Sequence, residues 1–177
     1  MNGTLANIRR FLDRLYLLGG AIAALFLIAI LIIIVLQMAA RWSGNVFPGS
    51  TNYAGYCMAA ASFFAFAYAL NKGAHIRVGL FLSALGKYRR WGEVWCFSIA
   101  SLLAIYFARY AIKAVFVSRQ FNDISQGQDA LPIWIPQISM AIGSVLLAIA
   151  LVDNLIRVLF SGDHGIESTA IEDHHSE

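Results

Sequence analysis

Two basic residues stand where an apolar run would otherwise continue. Arg109 and Lys113 interrupt residues 94–117 at i, i+4 spacing, which puts both on one face of a helix. A cation inside a membrane span costs on the order of 3 kcal/mol or more, so it calls for a reason. Counted from Glu93 at about 1.5 Å per residue, Arg109 falls roughly 24 Å along the span, near its far interface. From there the pair can snorkel to headgroups, meet Asp123 or Asp129, or meet a partner protein. Asp153 and Arg157 repeat the spacing in the favourable acid-first order and read as an ion pair within one helix. Gln137 and Ser139 lie one turn into the last apolar run, where polar side chains hydrogen-bond between helices.

Catalytic chemistry has little to work with. His75 is the only histidine ahead of the tail residues His164, His174 and His175. Haem held by two histidines needs imidazoles inside the spans, and a zinc hydrolase needs several clustered ligands. Cys57 and Cys96 fall near opposite ends of successive spans, too far apart for the Cα separation of about 7 Å that a disulfide allows. No span carries the paired carboxylates of a pump or proton relay. No enzyme activity, catalytic residue, cofactor or metal site is therefore expected.

The elements that position these residues follow from composition. Of 177 residues, 59% are hydrophobic and 13% charged, against roughly half and a quarter in a soluble domain. The excess lies in four blocks, which makes this an integral membrane protein and not a nucleic-acid binder, despite a net charge of +3. A crossing takes about 20 apolar residues. Residues 15–36 carry no charge and exceed the apolar core of a signal peptide, so they read as a retained anchor. The full set of spans is about 15–40, 53–71, 93–117 and 131–156, a single four-helix domain over residues 1–160. Ala54, Gly55, Ala59, Ala60, Ala61 and Ala65 suit the second span to close helix packing. Pro132 and Pro136 introduce the fourth span, where a first helical turn tolerates proline. Residues 161–177 form a polar tail with the composition of a disordered segment.

Between the second and third spans lies GAHIRVGLFLSALGKYRRW. Wound as a helix at about 75–90, it gathers Leu80, Phe81, Ala84, Leu85 and Tyr88 on one side. His75, Gly79, Ser83, Gly86, Lys87 and Arg90 gather on the other. That is a helix able to lie flat in a membrane surface. Arg9, Arg10, Arg14, Lys72, Arg77, Lys87, Arg89, Arg90 and Arg157 share one side of the four-span layout, against Arg41, Arg109, Lys113 and Arg119 towards the other. By the positive-inside rule both termini are cytoplasmic. The fold class expected is thus an all-α integral membrane protein: four transmembrane helices, with an amphipathic interfacial helix between the second and third. No inverted repeat of broken helices, the usual frame of a secondary-transporter site, is visible.

Two stretches resemble a known family. GAHIRV (Gly73, His75, Ile76, Arg77, Val78) follows the second span. SQGQDALPIWIPQ (Ser125, Gly127, Pro132, Trp134, Pro136, Gln137) leads into the fourth, and Gly143 follows. In that order on four spans, they resemble the small membrane (Q-type) subunit of a tripartite ATP-independent periplasmic (TRAP) transporter over about residues 11–159. Many relatives carry an acidic residue near Asn52 and another near Gly79; this chain has neither.

The resemblance implies a division of labour in a bacterial inner membrane. A periplasmic solute-binding protein, docking transiently, captures an organic solute, most commonly a C4-dicarboxylate. A large membrane transport subunit, held in a stable heteromer, imports it with sodium. The small multi-pass subunit is a scaffold for both. The residues expected at a partner or lipid interface are His75, Arg77, Phe81, Leu85, Tyr88, Arg109, Lys113, Trp134 and Gln137. Two other classes fit the span count. One is a four-span oxidoreductase of the disulfide-regenerating kind, which needs cysteine pairs at one surface. The other is a small homo-oligomeric channel.

Overall fold

The computed structural model describes residues 2–72 and 89–161. They form four helices: α1 (Asn2–Trp42), α2 (Ser50–Asn71), α3 (Arg89–Gln120) and α4 (Trp134–Ser161). Each is long and apolar enough to cross a membrane. The expected interfacial helix lies almost wholly outside the described residues, and His75, Arg77, Phe81, Leu85 and Tyr88 lie outside them with it.

The helix ends follow local chemistry. Gly44 takes φ +75° after α1. Its N–H bonds to the Arg41 carbonyl and that of Asn45 to Ala40, a Schellman stop. Asn122 closes α3 in the same way at φ 50°, with Asn122 N–H to Arg119 and Asp123 N–H to Ser118. Asparagine is the usual second choice to glycine there. At its other end α1 is longer than the apolar run. Nothing from Leu5 to Arg14 breaks a helix, and leucine, alanine and arginine are among its strongest formers, so the polar start winds on with the span.

The fourth helix begins three residues later than the apolar pattern predicts. Leu131 and Ile133 pair instead with the loop before them: Ser125 N–H bonds to Leu131 O at 2.8 Å and Ile133 N–H to Asp123 O at 3.0 Å. An antiparallel bridge joins Ile124 to Pro132. Pro136, and not Pro132, occupies the first turn of α4.

In the bundle α1 packs on α2, α2 on α4, and α4 on α3. The middle pair α2 and α4 is therefore flanked by α1 and α3. Buried residues of α2 include Ala60, Ala61, Phe64, Ala67 and Leu70. Ala104, Ala108, Ala111, Ala148 and Ala150 are buried on α3 and α4. Small side chains let backbones approach where lipid supplies no hydrophobic drive to association. The closest approach is at Gly143, where a Cβ would stand 2.6 Å from the carbonyl carbon of Phe63. Gly55, by contrast, faces open space, so the small-residue face expected on α2 is only partly used within this chain.

Candidate functional site

The densest polar constellation lies at the end of the bundle that holds the 43–49 and 121–133 loops. Asn52 and Tyr56, one turn apart on α2, both reach Asp129. Asn52 Nδ2 donates to Asp129 Oδ1 at 2.7 Å, and the Tyr56 hydroxyl lies 2.9 Å from Oδ2. Ser125 completes the group, its hydroxyl 3.1 Å from Asp129 Oδ1 and 2.8 Å from the Tyr56 oxygen. The Gly127 N–H donates to Ser125 Oγ at 3.2 Å.

Two glycines make room for this clamp. Gly49, at φ +77°, precedes α2, and a Cβ there would stand 3.0 Å from that of Asp129. A Cβ on Gly127 would overlap Asn52 Nδ2. Partial loss of water raises the pKa of Asp129, but the hydrogen bonds from Asn52, Tyr56, its own backbone N–H and Ser125 outweigh this. Its carboxyl is left below the ordinary aspartate value. The clamp therefore holds an ionised carboxylate and fastens the loop before α4 to the start of α2. Sequence reading named Asp129 only as one possible neighbour of Arg109. The hydrogen-bonding side chains Asn52, Tyr56, Ser125 and Asp129 come from two segments about 70 residues apart, which no local spacing announces.

Arg109 and Lys113 are exposed on α3, and Asp129 is engaged elsewhere. Neither cation is hydrogen-bonded or ion-paired to another described residue. Their depth follows from aromatic register. Phe26 stacks on Phe64 with centroids 6.0 Å apart, Phe63 stacks on Phe107 at 6.0 Å, and Gly143 abuts Phe63. Phe26, Phe63 and Gly143 each lie within two residues of the middle of their own apolar runs. Phe107 shares that level. Arg109 is then only about 3 Å beyond the midplane and Lys113 about 9 Å, in a hydrocarbon layer about 15 Å deep on each side. Counting from Glu93 puts Arg109 further out because it takes Glu93 as the inner boundary, whereas the aromatic register puts that residue about 6 Å beyond the hydrocarbon.

The other expected interface residues are partly accounted for. Trp134 is half-buried, with the Arg119 guanidinium 5.8 Å from its ring centroid. Gln137 Oε1 is buried without a hydrogen-bond partner among the described residues. Ser139 does not bridge helices as expected: its hydroxyl donates to Pro136 O at 2.7 Å, within α4. At the opposite end of the bundle Arg157 and Asp153 form the anticipated pair, at 2.5 Å. Beside it Asn154 is fully buried, its amide donating to Ala150 O at 2.9 Å.

An apolar cleft of about 360 Å³ opens between α1, α2 and α4, lined by Phe26, Ile33, Phe47, Tyr56, Cys57 and Ile135 among others. The Tyr56 hydroxyl is engaged in the clamp and Ser139 with Pro136, and Tyr53 also lines the cleft. Its lining carries no charged side chain to orient a charged solute. Cys57 and Cys96 are both free thiols. Among the described residues no group of three His, Cys, Asp or Glu side chains could hold a metal ion.

The family profile described as "Tripartite ATP-independent periplasmic transporters, DctQ component" matches residues 30–161, three quarters of the chain. The chain belongs to the DctQ family. It is thus the small permease component of a TRAP transporter, a family that works with a large membrane subunit and a periplasmic binding protein. The matched stretch includes the Asp129 clamp and both α3 cations, so they lie within the DctQ unit itself. No curated protein and no solved structure gives a match.

Proposed function

We propose that this DctQ component is a fixed scaffold in the cytoplasmic membrane of a bacterium, with both termini in the cytoplasm. It stabilises the large transport subunit of a sodium-coupled importer and helps dock the periplasmic binding protein. The solute class that suits the reading is an organic carboxylate such as a C4-dicarboxylate. The observation that carries the proposal is the continuity of the helices. α1 to α4 run 41, 22, 32 and 28 residues without an interruption. Secondary transporters build solute and ion sites where helices break at the midplane. At the level shared by Phe26, Phe63, Phe107 and Gly143, near the middle of the apolar runs, all four helices are unbroken. The clamped loop end gives a binding protein a surface of fixed shape.

Reconstitution tests this. Liposomes holding this chain alone should show no sodium-driven uptake of a C4-dicarboxylate. Liposomes holding it with the large subunit should show uptake once binding protein is added. Uptake by this chain alone would refute the scaffold reading.

A further inference from the structure

α3 has two opposite faces of different character. Ser101, Ala104, Ala108, Ala111 and Ser118 are buried, facing α4. On the opposite face Ile99, Leu102, Tyr106, Arg109, Lys113 and Phe116 recur at alternating steps of four and three, and all are exposed. That spacing is the seam by which one helix receives another. Its two cations sit at the level of Phe107 and just beyond.

Lipid suits one of them and not the other. Lys113, about 6 Å short of the nearer hydrocarbon boundary, can extend its ammonium to the headgroups. Arg109 is about 12 Å short, further than its guanidinium reaches from its Cα. The Cα–Cβ bonds of α3 also tilt towards its N-terminus, away from that boundary. A second copy of this chain does not solve the problem. It would bring another Arg109 to the same depth, and it has no acidic residue to offer there: none occurs in residues 14–92, 94–122 or 130–152.

We infer that this face of α3 is covered by a transmembrane helix of the large transport subunit, and that this helix presents a carboxylate to Arg109 near the membrane midplane. The inference deepens the scaffold reading and rests on it. A planar guanidinium accepts a carboxylate through two parallel hydrogen bonds, and a low dielectric makes such a pair strongly orienting. The contact would fix rotation and height of the large subunit's helix against α3 together.

The test uses the small subunit, free of cysteine through Cys57→Ala and Cys96→Ala, with and without the co-expressed large subunit. Spin labels at Leu102→Cys and Tyr106→Cys should be open to dissolved oxygen in the chain alone, and at least about fivefold less so in the complex. Arg109→Leu should lower co-purification of the large subunit at least about tenfold. It should leave the membrane yield of the small subunit alone equal or higher, because it removes an unpaired cation from lipid. Arg109→Lys, which keeps the charge without the planar fork, should fall between. Labels that stay lipid-exposed in an intact complex would overturn the inference and leave the scaffold reading standing. So would an Arg109→Leu chain that co-purifies like wild type, or one whose own yield falls in step with the complex. Failure of the wild-type chain to co-purify with any large subunit would overturn both.

Discussion

Asp129 shows how much a single carboxylate organises at the loop end. It is half-buried and accepts from Asn52, Tyr56 and Ser125. Those bonds hold its pKa below the ordinary aspartate value. A depressed carboxyl contributes stability that is present above the unfolded value of about 3.9 and lost as pH falls through the lower folded value. Hydrogen exchange at the Ser125 and Ile133 amides, which pair across the loop, should therefore stay slow from neutral pH down past the ordinary aspartate range and quicken only below it. Asp129→Ala should quicken it at every pH by removing the acceptor. Gly127→Ala should do the same by a different route, since its Cβ would collide with Asn52. Unchanged exchange in either variant would show that the bridge at Ile124 and Pro132 holds the loop unaided.

The helices were legible in the sequence because apolar length announces a crossing, and the interior gives little other choice. Their ends were less so. The run from Leu5 to Arg14 is polar but strongly helix-forming, so hydropathy and propensity disagree there and propensity decides. Leu131 and Pro132 continue the apolar pattern of α4, yet their backbone pairs with the loop, an event that depends on Asp123 and Ser125. The clamp was illegible for the same reason: its members meet only after α2 and α4 have packed. Gly143 is where that packing is tightest. Gly143→Leu should push α2 from α4 and cost about 1–3 kcal/mol, as overfilling a packed site does. The readout is unfolding in mixed detergent micelles, with Gly55→Ala, which meets open space, as a near-silent control. The basic stretch before α3 is proposed to lie at the membrane surface and set the tilt of α2 and α3. Aspartate at Phe81, Leu85 or Tyr88 should then lower recovery of the complex from membranes, and wild-type recovery from all three would reject that placement.

A bundle that serves as a fixed frame must keep its shape while its partner moves cargo. The packed helices meet through small buried residues and the Gly143–Phe63 approach, with ring stacks joining α1 to α2 and α2 to α3, and such interfaces shift between discrete arrangements and do not deform smoothly. A frame with one arrangement should therefore report one distance. Spin labels placed in the cysteine-free chain at Leu31 on α1 and Leu102 on α3, both exposed, span the two flanking helices. In the reconstituted complex their distance distribution should be the same with no solute, with solute and binding protein, and with a sodium gradient added. A helix that travels with the cargo would slide by at least a turn, about 5.4 Å, well within what such labels resolve. A second population appearing with solute would make this bundle part of the moving body. A constant distance, together with uptake by the same vesicles, leaves the motion to the large subunit and the shape to this one.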